Sequence, residues 1–131
     1  MKYSEFIKEV GKHGGPTDRE HAEEVTRIVL ATLGERLAGM EPHNLASQLP
    51  QELQNELLVE VGSAEFSDDI DDFLRRIADR ESRDCGPETA LSHAQAVLGT
   101  MSSFVSAGEI NNLRSQLPAG YAPLFQPVSS G

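Results

Sequence analysis

The sequence predicts an all-α fold: two tandem four-helix repeats packed into one pseudo-symmetric helical bundle. Three observations predict it. The phrase Asn44-Leu45-Ala46-Ser47-Gln48-Leu49-Pro50 returns 68 positions later as Asn112-Leu113-Arg114-Ser115-Gln116-Leu117-Pro118, with six of seven residues kept. Apolar residues recur at helical spacing through most of the chain. Helix start and stop signals punctuate that pattern.

The elements follow in order. Tyr3, Phe6, Ile7 and Val10 form one stripe, predicting a helix over 4–13 that Gly14-Gly15-Pro16 stops. Thr17-Asp18-Arg19-Glu20 reads as a capping box opening a long helix over 17–39, with Ala22, Val25, Val29, Leu33 and Leu37 on its inner face and Gly39 closing it. Glu41-Pro42 starts a short third helix ending near Gln48, because the proline at 50 pushes Leu49 out of the α region. Pro50 opens a fourth helix that buries Leu53, Leu57, Leu58 and Val61.

The second half repeats the plan. Ser67 caps a fifth helix over 67–82, with Asp68, Asp69, Asp71 and Asp72 in its first turn and Ile70, Phe73, Leu74 and Ile77 facing inward. A sixth helix spans 86–106 on Ala90, Ala94, Val97, Leu98, Met101, Phe104 and Val105, and Gly108 closes it. A seventh covers 109–116 and a short eighth covers 119–125; 127–131 reads as a flexible tail. At an offset of 68, Glu20, Ala22, Val29, Leu30, Thr32 and Glu41 face Glu88, Ala90, Val97, Leu98, Thr100 and Glu109. The first unit is therefore 1–66 and the second 67–126 of a single domain, and two copies are expected to pack face to face.

At these residues the chain resembles a bacterial family, domain of unknown function 2267. The resemblance rests on Tyr3-Ser4-Glu5-Phe6, on Thr17-Asp18-Arg19-Glu20 with Ala22 and Leu30, on Leu33-Gly34-Glu35-Arg36-Leu37, and on the two Gln-Leu-Pro turns at 48–50 and 116–118. It covers nearly the whole chain and implies an all-helical, duplicated fold. It implies no activity and carries over no catalytic residues.

The net charge is −10, spread over both halves, so a phosphate backbone or an anionic membrane surface is disfavoured as a partner. A single cysteine, no signal-peptide core and no apolar run of membrane length predict a cytoplasmic protein. There is no tryptophan, so few aromatic platforms are offered to bases or sugars.

Chemistry-bearing motifs are sparse. The Asp68–Asp72 run lacks the glycine and distal glutamate of a calcium loop, and neighbouring helical residues point apart, so a polarised helix start is the reading. Cys85 replaces Thr17 in the repeat alignment; a thiol at a helix start can be reactive, but Asp84 beside it opposes thiolate formation and no base is near. His93 takes the place of core residue Val25 and is expected half-buried and hydrogen-bonded. His21 is followed by Ala22-Glu23-Glu24-Val25, which is not a zinc-protease helix. Cys85 and His93 are thus the two candidate site residues, and no cofactor or metal is expected. No nucleotide loop or catalytic triad is present. The leading functional expectation is a non-enzymatic protein-interaction or regulatory module with a possible protein partner. The alternative is a small-molecule binder or enzyme with a pocket between the two repeats. Nothing in the sequence fixes the oligomeric state.

Overall fold

The computed structural model describes residues 3–37, 41–59, 69–81, 86–117 and 119–126, and among these every regular element is helical. The elements are α1 (Tyr3–Lys12), α2 (Arg19–Gly34), α3 (Glu41–Ala46), α4 (Gln51–Leu58), α5 (Ile70–Glu81), α6 (Pro87–Phe104), α7 (Ala107–Gln116) and a 3-10 helix (Ala119–Phe125). No helix of the described residues is long and apolar enough to cross a membrane.

Two long helices, α2 and α6, form the centre. Helix α1 packs on both, and so does α5. Helix α4 lies along α2, the 3-10 helix lies along α6, and α3 meets α7. One continuous core results, from Phe6, Val25, Leu30 and Leu33 through Phe73 and Ile77 to Val97, Met101 and Tyr121. Each fully buried side chain of this size contributes about 1.5–3 kcal/mol by leaving water.

Helix ends follow the local chemistry, with four corrections to the expected boundaries. Asp18, one residue beyond Thr17, is the N-cap of α2, its carboxylate accepting from the His21 amide at 3.0 Å. A carboxylate also complements the helix dipole, which a hydroxyl does not. Second, α2 stops at Gly34 rather than near 39. There the chain tightens into 3-10 turns, with Arg36 N–H bonding Leu33 O and Leu37 N–H bonding Gly34 O. Third, α5 begins at Ile70, where the Asp69 carboxylate accepts from the Asp72 amide at 2.9 Å; Ser67, the expected cap, lies outside the described residues. Fourth, Gly108 sits inside α7, and α6 ends at Phe104 because Val105 turns extended and the Ser106 hydroxyl caps α7.

The end of α1 is a Schellman turn. Gly14 has φ 100°, Gly14 N–H bonds Gly11 O, and Gly15 N–H bonds Val10 O. A side chain at Gly14 would be strained in this conformation, and a Cβ on Gly15 would stand 2.8 Å from the Val10 carbonyl oxygen.

The repeated phrase makes the same corner twice. Leu45, Leu49, Leu113 and Leu117 are all buried. Ser47 Oγ donates to Asn44 O at 2.7 Å, and Ser115 Oγ donates to Asn112 O at 2.7 Å. Gln48 Oε1 accepts from the Ser106 amide at 2.8 Å and so ties the first corner to the start of α7.

Candidate functional site

Three polar side chains meet inside this apolar frame. His21 comes from the first turn of α2, Glu81 ends α5, and His93 lies in α6. All three occupy places where their helices otherwise bury apolar residues. Glu81 follows Phe73 and Ile77 at spacings of four, and His93 sits between the buried Ala90, Ala94 and Val97. His21 precedes Val25 by one turn, and the Asp18 cap pins its backbone amide.

The geometry is close. Glu81 is 1% exposed, and its carboxylate meets His93 Nδ1 at 2.9 and 3.0 Å. His21 Nε2 lies 3.5 Å from Glu81 Oε1. The two imidazoles stand edge to face, with centroids 5.6 Å apart and planes at 88°. His21 Nε2 is itself buried, yet it makes no hydrogen bond among the described residues. A buried carboxylate needs partners, since an isolated charge away from water is costly. His93 supplies one, while the second ring is brought close without completing a bond. Two imidazole nitrogens and a carboxylate oxygen could hold a metal ion.

A second feature lies on the outer side of α1. A groove of about 560 Å³ runs between α1 and the start of α2. Ile7 and Ala22, both buried, form its floor with Pro16, and Lys8, Lys12, Arg19 and Glu5 stand around it. Lys12 reaches Glu9 at 3.1 Å and Arg19 reaches Glu23 at 3.0 Å, both largely in solvent. The groove is lined by residues between Ser4 and Ala22, all in the first half of the chain. The His–Glu–His cluster joins α2 to α5 and α6.

Of the two residues singled out from the sequence, His93 is in this cluster and is buried, 8% exposed. Cys85 lies outside the described residues, and the N-cap of α6 is its neighbour Gly86. Asp68 lies outside the described residues, and the rest of the acidic run does not gather into one site. Asp69 caps α5, and the Asp72 carboxylate is taken up by Arg75, Arg76 and Arg36 at 2.9, 2.9 and 3.5 Å. Glu81 was missed and His21 was set aside, because their partners lie on other helices. One signal was available: a charged or polar residue standing in register with an apolar stripe.

Fold and site together define an all-helical bundle in which two histidines, one buried and one half-buried, meet one buried glutamate. The chain matches, over residues 3–124, the family described as "Uncharacterized conserved protein (DUF2267)", and it belongs to that family. No curated protein matches the chain.

Proposed function

We propose that this protein is a duplicated, non-enzymatic binding module whose ligand is a small anionic amphiphile held in the α1 groove. One observation carries the reading. In a chain of net charge −10, Lys8, Lys12 and Arg19 gather around an apolar floor on which Glu5 is the one lining carboxylate, while Lys12 and Arg19 also pair with Glu9 and Glu23 beside it. The volume falls in the range of small-molecule pockets, and the lining pairs an apolar surface with a few orienting charges. An apolar chain or ring ending in a carboxylate or phosphate fits both. A broad protein-docking face has less support, since Val59 is the only large apolar side chain exposed among the described residues.

The duplication is supported by features that recur at an offset of 68. The N-caps Asp18 and Gly86 correspond, as do the serine bonds of the two corners. Thr32 and Thr100 correspond too, both buried and both bonding the carbonyl four residues back. The cross-packing of α1 on α6 and of α5 on α2 is what a two-fold relation between halves would produce. The single cysteine and the family resemblance support a reducing bacterial cytoplasm as its place.

The test is a titration of the labelled full chain with decanoate, followed by amide chemical shifts, with decanol as the uncharged comparison. Shifts should cluster on residues 4–22, and Lys8→Glu with Lys12→Glu should weaken binding at least tenfold. Equal binding of decanol, or shifts centred elsewhere, would overturn the reading.

A further inference from the structure

We infer that His21, Glu81 and His93 form a binding site for one borderline divalent transition-metal ion, of the zinc class, which clamps α2 to α5 and α6. The site is independent of the α1 groove and shares no residue with it.

The distances support an ion. The donor atoms of the three side chains all lie within 4.8 Å of one another. Bonds of about 2.0–2.1 Å to a tetrahedral ion place its ligand atoms about 3.4 Å apart. The Glu81–His93 and His21–Glu81 separations, 2.9 and 3.5 Å, bracket that value. The remaining pair, His21 with His93, lies within the same 4.8 Å, so a turn of the His21 ring toward His93 brings all three separations near that value. His21 is the least confined of the three, its side chain 24% exposed against 1% for Glu81 and 10% for His93.

The orphaned nitrogen is the second, separate observation. Glu81 and His93 meet at hydrogen-bond distance, and that pair makes no use of the His21 nitrogen. Yet His21 Nε2 is buried beside the same carboxylate without a hydrogen bond among the described residues. An unsatisfied buried nitrogen costs about 1–3 kcal/mol. An ion between the three groups accepts the lone pair of each neutral ring and an oxygen of Glu81, which removes that cost.

The donor set selects the ion class. Two nitrogens and one oxygen suit zinc, cobalt, nickel or copper, whereas calcium and magnesium take oxygen sets. The acidity of the chain favours a cation over an anion at this place. The ligands come from both halves, so the bound ion fastens the halves together. A fourth position is left for water or another donor, as in three-ligand zinc sites.

The test uses the purified full chain, stripped with chelator and titrated with Zn²⁺ alone and with Co²⁺ as a visible probe. One equivalent should bind, Co²⁺ should show the visible bands of four-coordinate nitrogen–oxygen ligation, and Tm should rise with metal. His21→Ala retains the Glu81–His93 pair and should fold. It should lose more than the ~10–100-fold in affinity that removing a supporting group costs. Glu81→Gln, close in shape, should weaken binding likewise. In the unsubstituted protein, ¹⁵N imidazole shifts of His21 and His93 should move on adding Zn²⁺ while those of His43 stay. This last measurement needs no variant. No binding to the folded chain, undiminished affinity in His21→Ala, or shifts confined to His13 or His43 would each overturn the site.

Discussion

The Arg36 guanidinium and the Tyr121 phenol, 85 positions apart in the chain, are locked together at the far end of the bundle from the α1 groove. Arg36 Nε donates to Tyr121 Oη, and Tyr121 in turn donates to the Asp69 carbonyl at 3.2 Å. The guanidinium also lies 4.9 Å from the centroid of the Phe73 ring and 3.5 Å from Asp72. An arginine so buried, 5% exposed, is tolerable only while these partners hold. Tyr121→Phe keeps the ring and deletes the oxygen. It should destabilise the protein by about 1–3 kcal/mol, because a buried charged donor and a carbonyl both lose a partner. Urea unfolding should show a lower midpoint with an unchanged slope.

Glu35 and Arg80 make the neighbouring contact, and its two ends are unequal. Arg80 donates to both Glu35 oxygens at 2.9 and 2.7 Å and to Thr32 Oγ1 at 2.7 Å. The Glu35 side chain is 5% exposed and that of Arg80 is 39%. Removing the arginine takes the closest donors from a buried carboxylate and leaves it Arg76 at 3.8 Å. Removing the charge from Glu35 leaves an arginine that water can reach. Arg80→Ala should therefore cost about 3 kcal/mol, and Glu35→Gln only about 1–1.5 kcal/mol. Equal losses in chemical unfolding would show that burial does not set the asymmetry.

Glycines give a paired test of packing. A Cβ on Gly34 would stand 1.9 Å from the Leu57 carbonyl oxygen, so α2 and α4 cross on bare backbone. Gly34→Ala should destabilise by about 3 kcal/mol, the upper end of overpacking, despite alanine's better helix propensity. A Cβ on Gly108, inside α7, meets nothing within 4 Å. Gly108→Ala should stabilise by about 0.5–1 kcal/mol. Thermal melts of the two variants should move in opposite directions.

Helix number, order and inward faces were legible in the sequence because they depend on local spacing. Phe6, Val10, Val29, Leu33, Ile77 and Val97 are buried where the period places them. Boundaries slipped where two local signals competed, as at Thr17 against Asp18, or where tertiary contact ended a helix, as at Gly34. The His–Glu–His cluster was only partly legible. Comparing the halves marked His93 as a departure from Val25, but periodicity gives the face of a helix and not which faces meet. Glu81 sat in the Arg-rich end of α5, where the composition 80–84 reads as surface charge. Its register with Phe73 and Ile77 was the better guide, since a carboxylate on a buried stripe must find partners. The α1 groove was not legible for a similar reason: the apolar stripe of α1 does not include Lys8 and Lys12, and their clustering with Arg19 depends on how α2 returns along α1.

Tyr3 offers a prediction in pH. Its phenol is held above the ordinary 10.0, chiefly by burial, with Arg27 opposing the rise and Glu23 reinforcing it. Arg27 also reaches the phenol oxygen at 3.4 Å. The folded state thus binds this proton more tightly than the unfolded chain does. Its contribution to stability is full below the unfolded value near 10 and is lost as pH climbs through the raised folded value. Stability measured from roughly pH 9 to pH 11 should fall with a component assignable to Tyr3. Tyr3→Phe keeps the ring on α1 and removes the titrating group. It should flatten that alkaline loss while leaving the neutral-pH urea midpoint nearly unchanged. An alkaline slope that persists undiminished in Tyr3→Phe would place the titration elsewhere.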